Sequence, residues 1–196
     1  MKRAFDLCFA SLGFMVLSPL LLVVGLAVRL GSPGPVIFRS RRVGRFGKEF
    51  SLLKFRTMAE DAPLKGPVIT FGKDPRITRL GALLRRCKVD ELPQLLNVIK
   101  GEMSLVGPRP EVPEYVKLYT PEQRAVLNLV PGITDPASVK YAHESELLGA
   151  AGSPEASYVQ HVMPDKIRMN LEYAAHANRW TDFLLVLKTL ARIARR

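Results

Sequence analysis

The sequence predicts a mainly helical α+β protein. An apolar N-terminal helix, kinked at Ser18-Pro19, leads into a β-hairpin and then amphipathic interfacial helices around a small domain. Three observations predict this. Residues 7 to 28 carry no charged side chain. Two β-branched and aromatic runs flank a Gly-containing turn between residues 36 and 58, the pattern of a hairpin. Apolar residues then recur at helical spacing. The length of 196 residues suits one domain with an appendage, and the expected division is 1–30 and 31–196.

The N-terminal run LCFASLGFMVLSPLLLVVGLAV is 22 residues long. A straight helix of that length crosses a hydrocarbon core of about 30 Å. It is too long for a signal peptide, and no small-residue cleavage site follows it. Two features oppose a straight crossing. Pro19 removes a backbone hydrogen bond and crowds the preceding turn, so a bend is expected there, with Ser18 able to satisfy a freed carbonyl. Both flanks are also basic, with Lys2 and Arg3 before and Arg29, Arg39, Arg41, Arg42 and Arg45 after. Both ends thus favour the cytoplasmic side. Each half is roughly 16 Å of helix, too short to span alone. A kinked crossing helix and a helix that re-enters the same face both stand at this point.

Gly31 to Pro35 punctuates the chain. The hairpin VIFRSRRVG-RFGK-EFSLLKFRTM follows, its basic residues (Lys54 among them) expected near lipid headgroups. Arg56, at its end, is a candidate phosphate contact. Residues 59 to 75 read as a long loop, of the kind that serves as a lid. Arg76 to Arg86 reads as a basic helix. Thr120-Pro121-Glu122-Gln123 is a capping box with proline at the first helical position. Residues 135 to 163 are poorly periodic and predict loops with short helices. Pro164 starts a further helix. The terminal helix, led by Thr181-Asp182, places Phe183, Val186, Leu187, Leu190 and Ile193 on one face and basic residues on the other. That is the form of an interfacial helix.

Composition narrows the partner. The net charge is +11 and the isoelectric point about 10.0. Such a chain meets a polyanion: nucleic acid, anionic lipid or a phosphorylated substrate. Cys8 and Cys87 share no metal-binding spacing, and neither a zinc site nor a disulfide framework is indicated. His143, His161 and His176 are scattered. No Walker A, GxGxxG or GxSxG sequence occurs.

The chemistry concentrates in RRCKVDELPQLLNVIKGEMSLVGPRPE, residues 85 to 111. Leu92, Leu95, Leu96 and Ile99 predict a helix over about 91–99. Asp90 suits its N-cap, and Pro93 is tolerated in its first turn. Asp90-Glu91 is therefore either a cap with an acidic neighbour, or a carboxylate pair set among Arg85, Arg86 and Lys88 for work on a phosphate ester. Gly107-Pro108-Arg109-Pro110 presents a second guanidinium on a rigid turn.

These motifs, in order, resemble the bacterial monotopic phosphoglycosyl transferases. The resemblance rests on Lys2 to Asp6, Ser18-Pro19, Gly34 to Phe38, Lys54 to Met58, Asp74 to Thr78, Val89 to Gln94, Gly101 to Pro110 and Pro131 to Thr134. It is to the short members, without the extra N-terminal helices and domain of the long ones. The resemblance implies a re-entrant helix and a monotopic protein on the cytoplasmic face of the bacterial inner membrane. It implies two-step phosphoryl transfer (EC 2.7.8.-) from a UDP-sugar to a polyprenyl phosphate such as undecaprenyl phosphate. Asp90 would be the nucleophile and form an aspartyl phosphosugar with release of UMP. Glu91 would be its partner, with Asp90 and Glu91 holding Mg²⁺ and Arg85 and Arg109 meeting phosphate. The product would begin assembly of a glycoconjugate such as O-antigen, capsule, exopolysaccharide or a glycoprotein glycan. Anionic lipids are expected partners, a homodimer is allowed, and nucleic acid is not expected. One departure stands out. After Pro-Gly-Ile-Thr many members continue Gly-Trp-Ala-Gln-Val-Asn-Gly-Arg, whereas this chain has Asp135 to Glu144 without the tryptophan and arginine. The alternatives are a membrane-tethered nucleic-acid module and a lipid-binding scaffold without catalysis.

Overall fold

The computed structural model describes residues 2–59 and 74–194. The expected lid, except its two ends, and Arg195-Arg196 lie outside the described residues.

Helix α1 runs Lys2–Gly31 as one element with Pro19 inside it. Proline at position 19 has no N–H to give the carbonyl four residues back. Ser18 Oγ donates to that same Met15 carbonyl at 2.8 Å, so the orphaned acceptor is satisfied within the helix. The middle of α1 is bare: Met15, Val16, Leu22 and Val23 are exposed. Its ends are not. Near the N-terminus, Asp6 accepts from Ser104 Oγ at 2.9 Å and Leu105 N at 3.1 Å. Arg3 donates to the carbonyls of Val98 and Ile99, and Lys2 pairs with Asp182 at 2.6 Å. Near the C-terminus, Val24 and Val28 pack with Phe55 and Leu84. Both ends of α1 are thus seated on the same domain. This is the one described helix long and apolar enough to cross a membrane.

Strands β1 (Ile37–Val43) and β2 (Glu49–Phe55) form the expected antiparallel hairpin, from Ile37↔Phe55 to Val43↔Glu49. Helix α2 covers Arg79–Arg86, later than expected, because Thr78 caps it by accepting from Gly81 N at 2.9 Å. The preceding Asp74 and Arg76 pair with each other at 2.6 Å instead. A methyl on Gly81 would come within 2.8 Å of Thr57 Cα. Only glycine lets α2 sit this close to the end of β2.

The next turn corrects the sequence reading. Lys88 takes the left-handed conformation (φ 57°), and a single 3₁₀ turn, Val89–Glu91, follows. Helix α3 begins only at Gln94 and ends at Lys100. Asp90 therefore lies inside the turn and caps nothing. The expected apolar residues of α3 are only half-buried, while Gln94, Asn97 and Val98 are its buried side chains, two of the three polar. The cause is a polar dock on β2. Asn97 accepts from Leu53 N at 3.0 Å and donates to Ser51 O at 2.8 Å, taking the place of a third strand.

Strand β3 (Ser104–Val106) pairs in parallel with β4 (Gly132–Thr134), a contact no local pattern forecast. Gly107 N donates to Thr134 O at 3.0 Å, and Gly132 N to Pro108 O at 2.9 Å. A methyl on Gly132 would come within 2.7 Å of Gly107 Cα. The Gly-Pro-Arg-Pro and Pro-Gly-Ile-Thr turns are locked together through these two glycines.

Short helices build the remainder. Helix α4 is Pro113–Val116. The Thr120–Gln123 capping box forms as expected, with reciprocal bonds of 3.0 and 3.3 Å, but opens a 3₁₀ segment, Gln123–Asn128. Helices α5 (Pro136–Lys140), α6 (Glu144–Gly149) and α7 (Pro154–Ser157) lead through a π-helical turn, Tyr158–Val162, into α8 (Met163–His176). Val116, Val126, Leu148, Val162 and Ile167 are the centre of their shared core. Helix α9 spans Arg179–Ala194. Its cap is Asn178, whose Oδ1 accepts from Trp180 N and Thr181 N, and not the expected Thr181-Asp182. Of its expected apolar face, Val186 packs on the domain, while Leu187 and Leu190 stay exposed beside Trp180 and Leu184.

Candidate active site

The 3₁₀ turn, the end of β2 and the locked glycine turns converge on one cleft of about 960 Å³. Asp90 lies in its wall, 5% exposed. Its Oδ1 is enclosed without a hydrogen-bond partner, which leaves Oδ2 as the oxygen turned to the cleft. Burial, then the neighbouring Glu91, raises its pKa above the ordinary carboxylate value, against the pull of Lys54, Lys88 and Arg85. An ionised carboxylate with no donors is weakly solvated and basic, the state a nucleophile needs.

Glu91 has the opposite environment. Arg109 donates to both its oxygens, at 2.7 and 3.0 Å, and Lys88 lies 3.4 Å from Oε1. Burial would raise the Glu91 pKa, but Arg109, Lys88 and Lys54 outweigh it and hold the group well below the usual range. Glu91 in turn raises Arg109. Two adjacent carboxylates are therefore driven apart in basicity, the arrangement that gives paired acids different roles.

Lysine 54, half-buried on β2, faces this pair. Burial first, then Arg109 and Arg42, lowers its pKa to about 7, against Glu91 and Asp90. Arg42 lies behind, donating to Pro110 O at 3.3 Å and to Glu111 at 3.5 Å. Glu111 also accepts from Tyr158 Oη and Val112 N. The cleft thus combines one open carboxylate with an excess of cations, a setting for a phosphate ester.

The chain matches the bacterial sugar transferase family over residues 1–196. It belongs to that family. Among curated proteins it is 39% identical over 196 residues to the UDP-glucose:undecaprenyl-phosphate glucose-1-phosphate transferase of Caulobacter vibrioides, covering 96% of this chain and 68% of that one. It is 34% identical to the UDP-N-acetylgalactosamine-undecaprenyl-phosphate N-acetylgalactosaminephosphotransferase of Aeromonas hydrophila, covering 98% of this chain and 43% of the relative. The Escherichia coli UDP-glucose:undecaprenyl-phosphate glucose-1-phosphate transferase is 36% identical, over 97% of this chain and 39% of its own length. The chain therefore spans less than half of the last two.

In this sugar transferase Asp90, Glu91, Arg109 and Arg85 all line the cleft. Arg85 is held by Thr57, donating from Nε at 2.9 Å. Arg56 has a second engagement. Its guanidinium donates to Ser32 O at 2.7 Å, Ser32 Oγ at 3.0 Å and the Pro33 carbonyl. It anchors the exit of α1 and also lines the cleft. Lys54 and Arg42, expected at headgroups, line the cleft instead. The usable signal was the lysine's place inside Lys54-Phe55-Arg56-Thr57-Met58, between buried neighbours. The divergent stretch Asp135 to Glu144 forms α5 and its exit, and Asp135, Ser138, Tyr141 and Glu144 line the cleft. Asp135 is pinned by Ser138 N at 2.9 Å.

Magnesium fits one of the two expected ligands. Both Glu91 oxygens are occupied by Arg109, whereas Asp90 Oδ2 is open. Among the described residues no group of three or more His, Cys, Asp or Glu converges. A single carboxylate is enough where substrate phosphates and water complete the octahedron.

Proposed function

We propose that the enzyme transfers a sugar 1-phosphate from a UDP-sugar to a polyprenyl phosphate, undecaprenyl phosphate in particular, through a covalent intermediate on Asp90. The observation that carries this reading is the contrast within one turn: Asp90 buried, unpartnered and raised in pKa, beside a Glu91 fully engaged by Arg109. The names of the Caulobacter and Escherichia relatives support both donor and acceptor. In the first step Asp90 Oδ2 bonds to the β-phosphorus, and the phosphoanhydride bond breaks with its electron pair leaving on UMP. In the second, an oxygen of the acceptor phosphate bonds to the same phosphorus, and the P–Oδ2 bond breaks back to the carboxylate. Each step exchanges one phosphate linkage for another.

The residues divide the work. Arg85, Lys88 and Lys54 surround Asp90 with positive charge and draw the diphosphate to it. Arg109 fixes Glu91, and the pair keeps a cation beside the phosphorus without leaving a second basic carboxylate. Mg²⁺ would be held chiefly by the diphosphate, with Asp90 as its protein ligand before Oδ2 attacks, and would supply charge neutralisation for the leaving UMP.

The membrane reading is re-entry at the cytoplasmic face. Both ends of α1 rest on one domain, and both flanks are basic. The apolar middle is exposed, and Ser18-Pro19 marks the proposed bend. A helix so tethered carries the cleft at headgroup depth, where a soluble donor and a lipid acceptor meet.

The test is UMP release from a panel of UDP-sugars with Mg²⁺ and undecaprenyl phosphate, with intact-mass detection of the phosphosugar adduct. Asp90→Asn is expected to abolish both. Wild-type turnover in that variant rules out the mechanism.

A further inference from the structure

Four side-chain polar atoms are buried without a hydrogen-bond partner among the described residues: Arg56 Nε, Asp90 Oδ1, and both ends of the Gln94 amide. Three of the four fall on two side chains four residues apart. Buried polar groups are ordinarily paired, because each unpaired one costs about 1–3 kcal/mol. Asn97, next along the same buried face, follows that rule and engages its whole amide.

The backbone aligns the two orphans. Leu92 (φ −55°, ψ −34°) and Pro93 (φ −59°, ψ −17°) continue the right-handed helical conformation from the 3₁₀ turn into α3. The bonds along it run from i+3 back to i, Leu92 N to Val89 O at 3.2 Å and Leu95 N to Leu92 O at 3.1 Å, so Asp90 and Gln94 stand little more than one tight turn apart, and Gln with Asp is a pair known to bond across one turn. The chemistry is complementary: Asp90 Oδ1 only accepts, and the amide N–H₂ donates.

We infer that Gln94 is a positioning residue for the nucleophile, its amide donating to Asp90 Oδ1 during the reaction. The inference rests on the covalent reading of Asp90. Held through Oδ1, the carboxylate presents Oδ2 to the β-phosphorus. In the adduct Oδ2 is bonded to phosphorus and Oδ1 is the acyl oxygen. When the acceptor displaces the phosphosugar, the electron pair of the P–Oδ2 bond returns to the carboxylate. The amide N–H stabilises that returning charge. The amide oxygen remains for a donor. Lys54, whose side chain makes no hydrogen bond among the described residues, is the ammonium on the strand packed against this turn.

The experiment compares wild type, Gln94→Met and Gln94→Glu in the full-length protein with undecaprenyl phosphate. The donor is whichever UDP-sugar of the panel gives most UMP. Adduct formation, adduct discharge and Tm are measured separately. Methionine removes two orphaned polar atoms at similar volume, so Tm is expected to hold or rise. Both half-reactions are expected to slow about a hundredfold, with KM for the donor little changed. Glutamate donates only when protonated, so its rate is expected to recover as pH falls, a limb that wild type lacks. Wild-type rates in Gln94→Met, with a wild-type adduct present, overturn the role of Gln94 and leave Asp90 untouched. Reduced Tm in both variants with no acid recovery in Gln94→Glu overturns it too, by marking Gln94 as structural. Absence of an adduct in wild type overturns the covalent reading and this inference with it.

Discussion

Arg109 grips both oxygens of Glu91, at 2.7 and 3.0 Å, from 18 residues further along the chain. The fork needs a planar, two-pronged donor, which lysine is not. Arg109→Lys is therefore expected to free one Glu91 oxygen and let its pKa climb toward the ordinary value. Turnover should fall at least tenfold, measured as UMP release, and more steeply at acidic pH than in wild type. An unchanged rate and pH profile would remove Arg109 from the machinery.

The buried Asp90 carries a stability cost with a defined sign. Its folded-state pKa is raised, so the folded protein binds this proton more tightly than the unfolded chain. The ionised form consequently destabilises the fold above that pKa, and the cost vanishes below the unfolded value of about 4. Asp90→Asn should raise Tm at pH 7 while abolishing turnover. The gain should shrink as pH is lowered through the Asp90 pKa, as thermal melts at stepped pH would record.

Lys54 titrates near neutrality, at about 7. Its positive charge is therefore lost as pH rises through that value. KM for the UDP-sugar is expected to rise from pH 6 to 9, since a cation facing the diphosphate disappears. Lys54→Arg keeps the charge and should flatten that rise. A KM profile identical in the two proteins would assign the alkaline limb elsewhere.

The paired glycines make a steric prediction. With Gly107 Cα only 2.7 Å from a methyl at position 132, Gly132→Ala must separate the two turns. A loss of roughly 2–4 kcal/mol is expected, read by denaturant unfolding, with turnover falling as Arg109 moves. Gly152→Ala, at a glycine with open space around it, is the control and should alter neither.

Much of the architecture was readable one segment at a time. The apolar run of α1, the hairpin, the Thr120–Gln123 box and α8 follow from spacing and capping within a few residues. Residues whose roles depend on distant partners were not readable in this way. Asp90 looked like a cap because nothing local reveals that Lys88 turns left-handed and inserts a 3₁₀ turn. The anchoring of Arg56 on the carbonyls of Ser32 and Pro33 was hidden too, because those acceptors lie across the fold. The pairing of β3 with β4 joins segments too short to carry a pattern. Lys54 and Gln94 resemble any surface lysine and helix glutamine until β2 and α3 are packed together. The carboxylate pair and Arg109 were singled out through ordered motifs, and the fold sets them in one cleft.

The lock between Gly107 and Gly132 has one more effect. It bears Arg109 on one side and releases the chain into Asp135 and α5 on the other. The arginine is thus clamped to a fixed chassis, while the cleft wall from Asp135 to Glu144 hangs from the far side of the clamp. A wall mounted like this is exchangeable: its sequence can be rewritten, or grafted from a relative, without re-machining the part that holds the guanidinium.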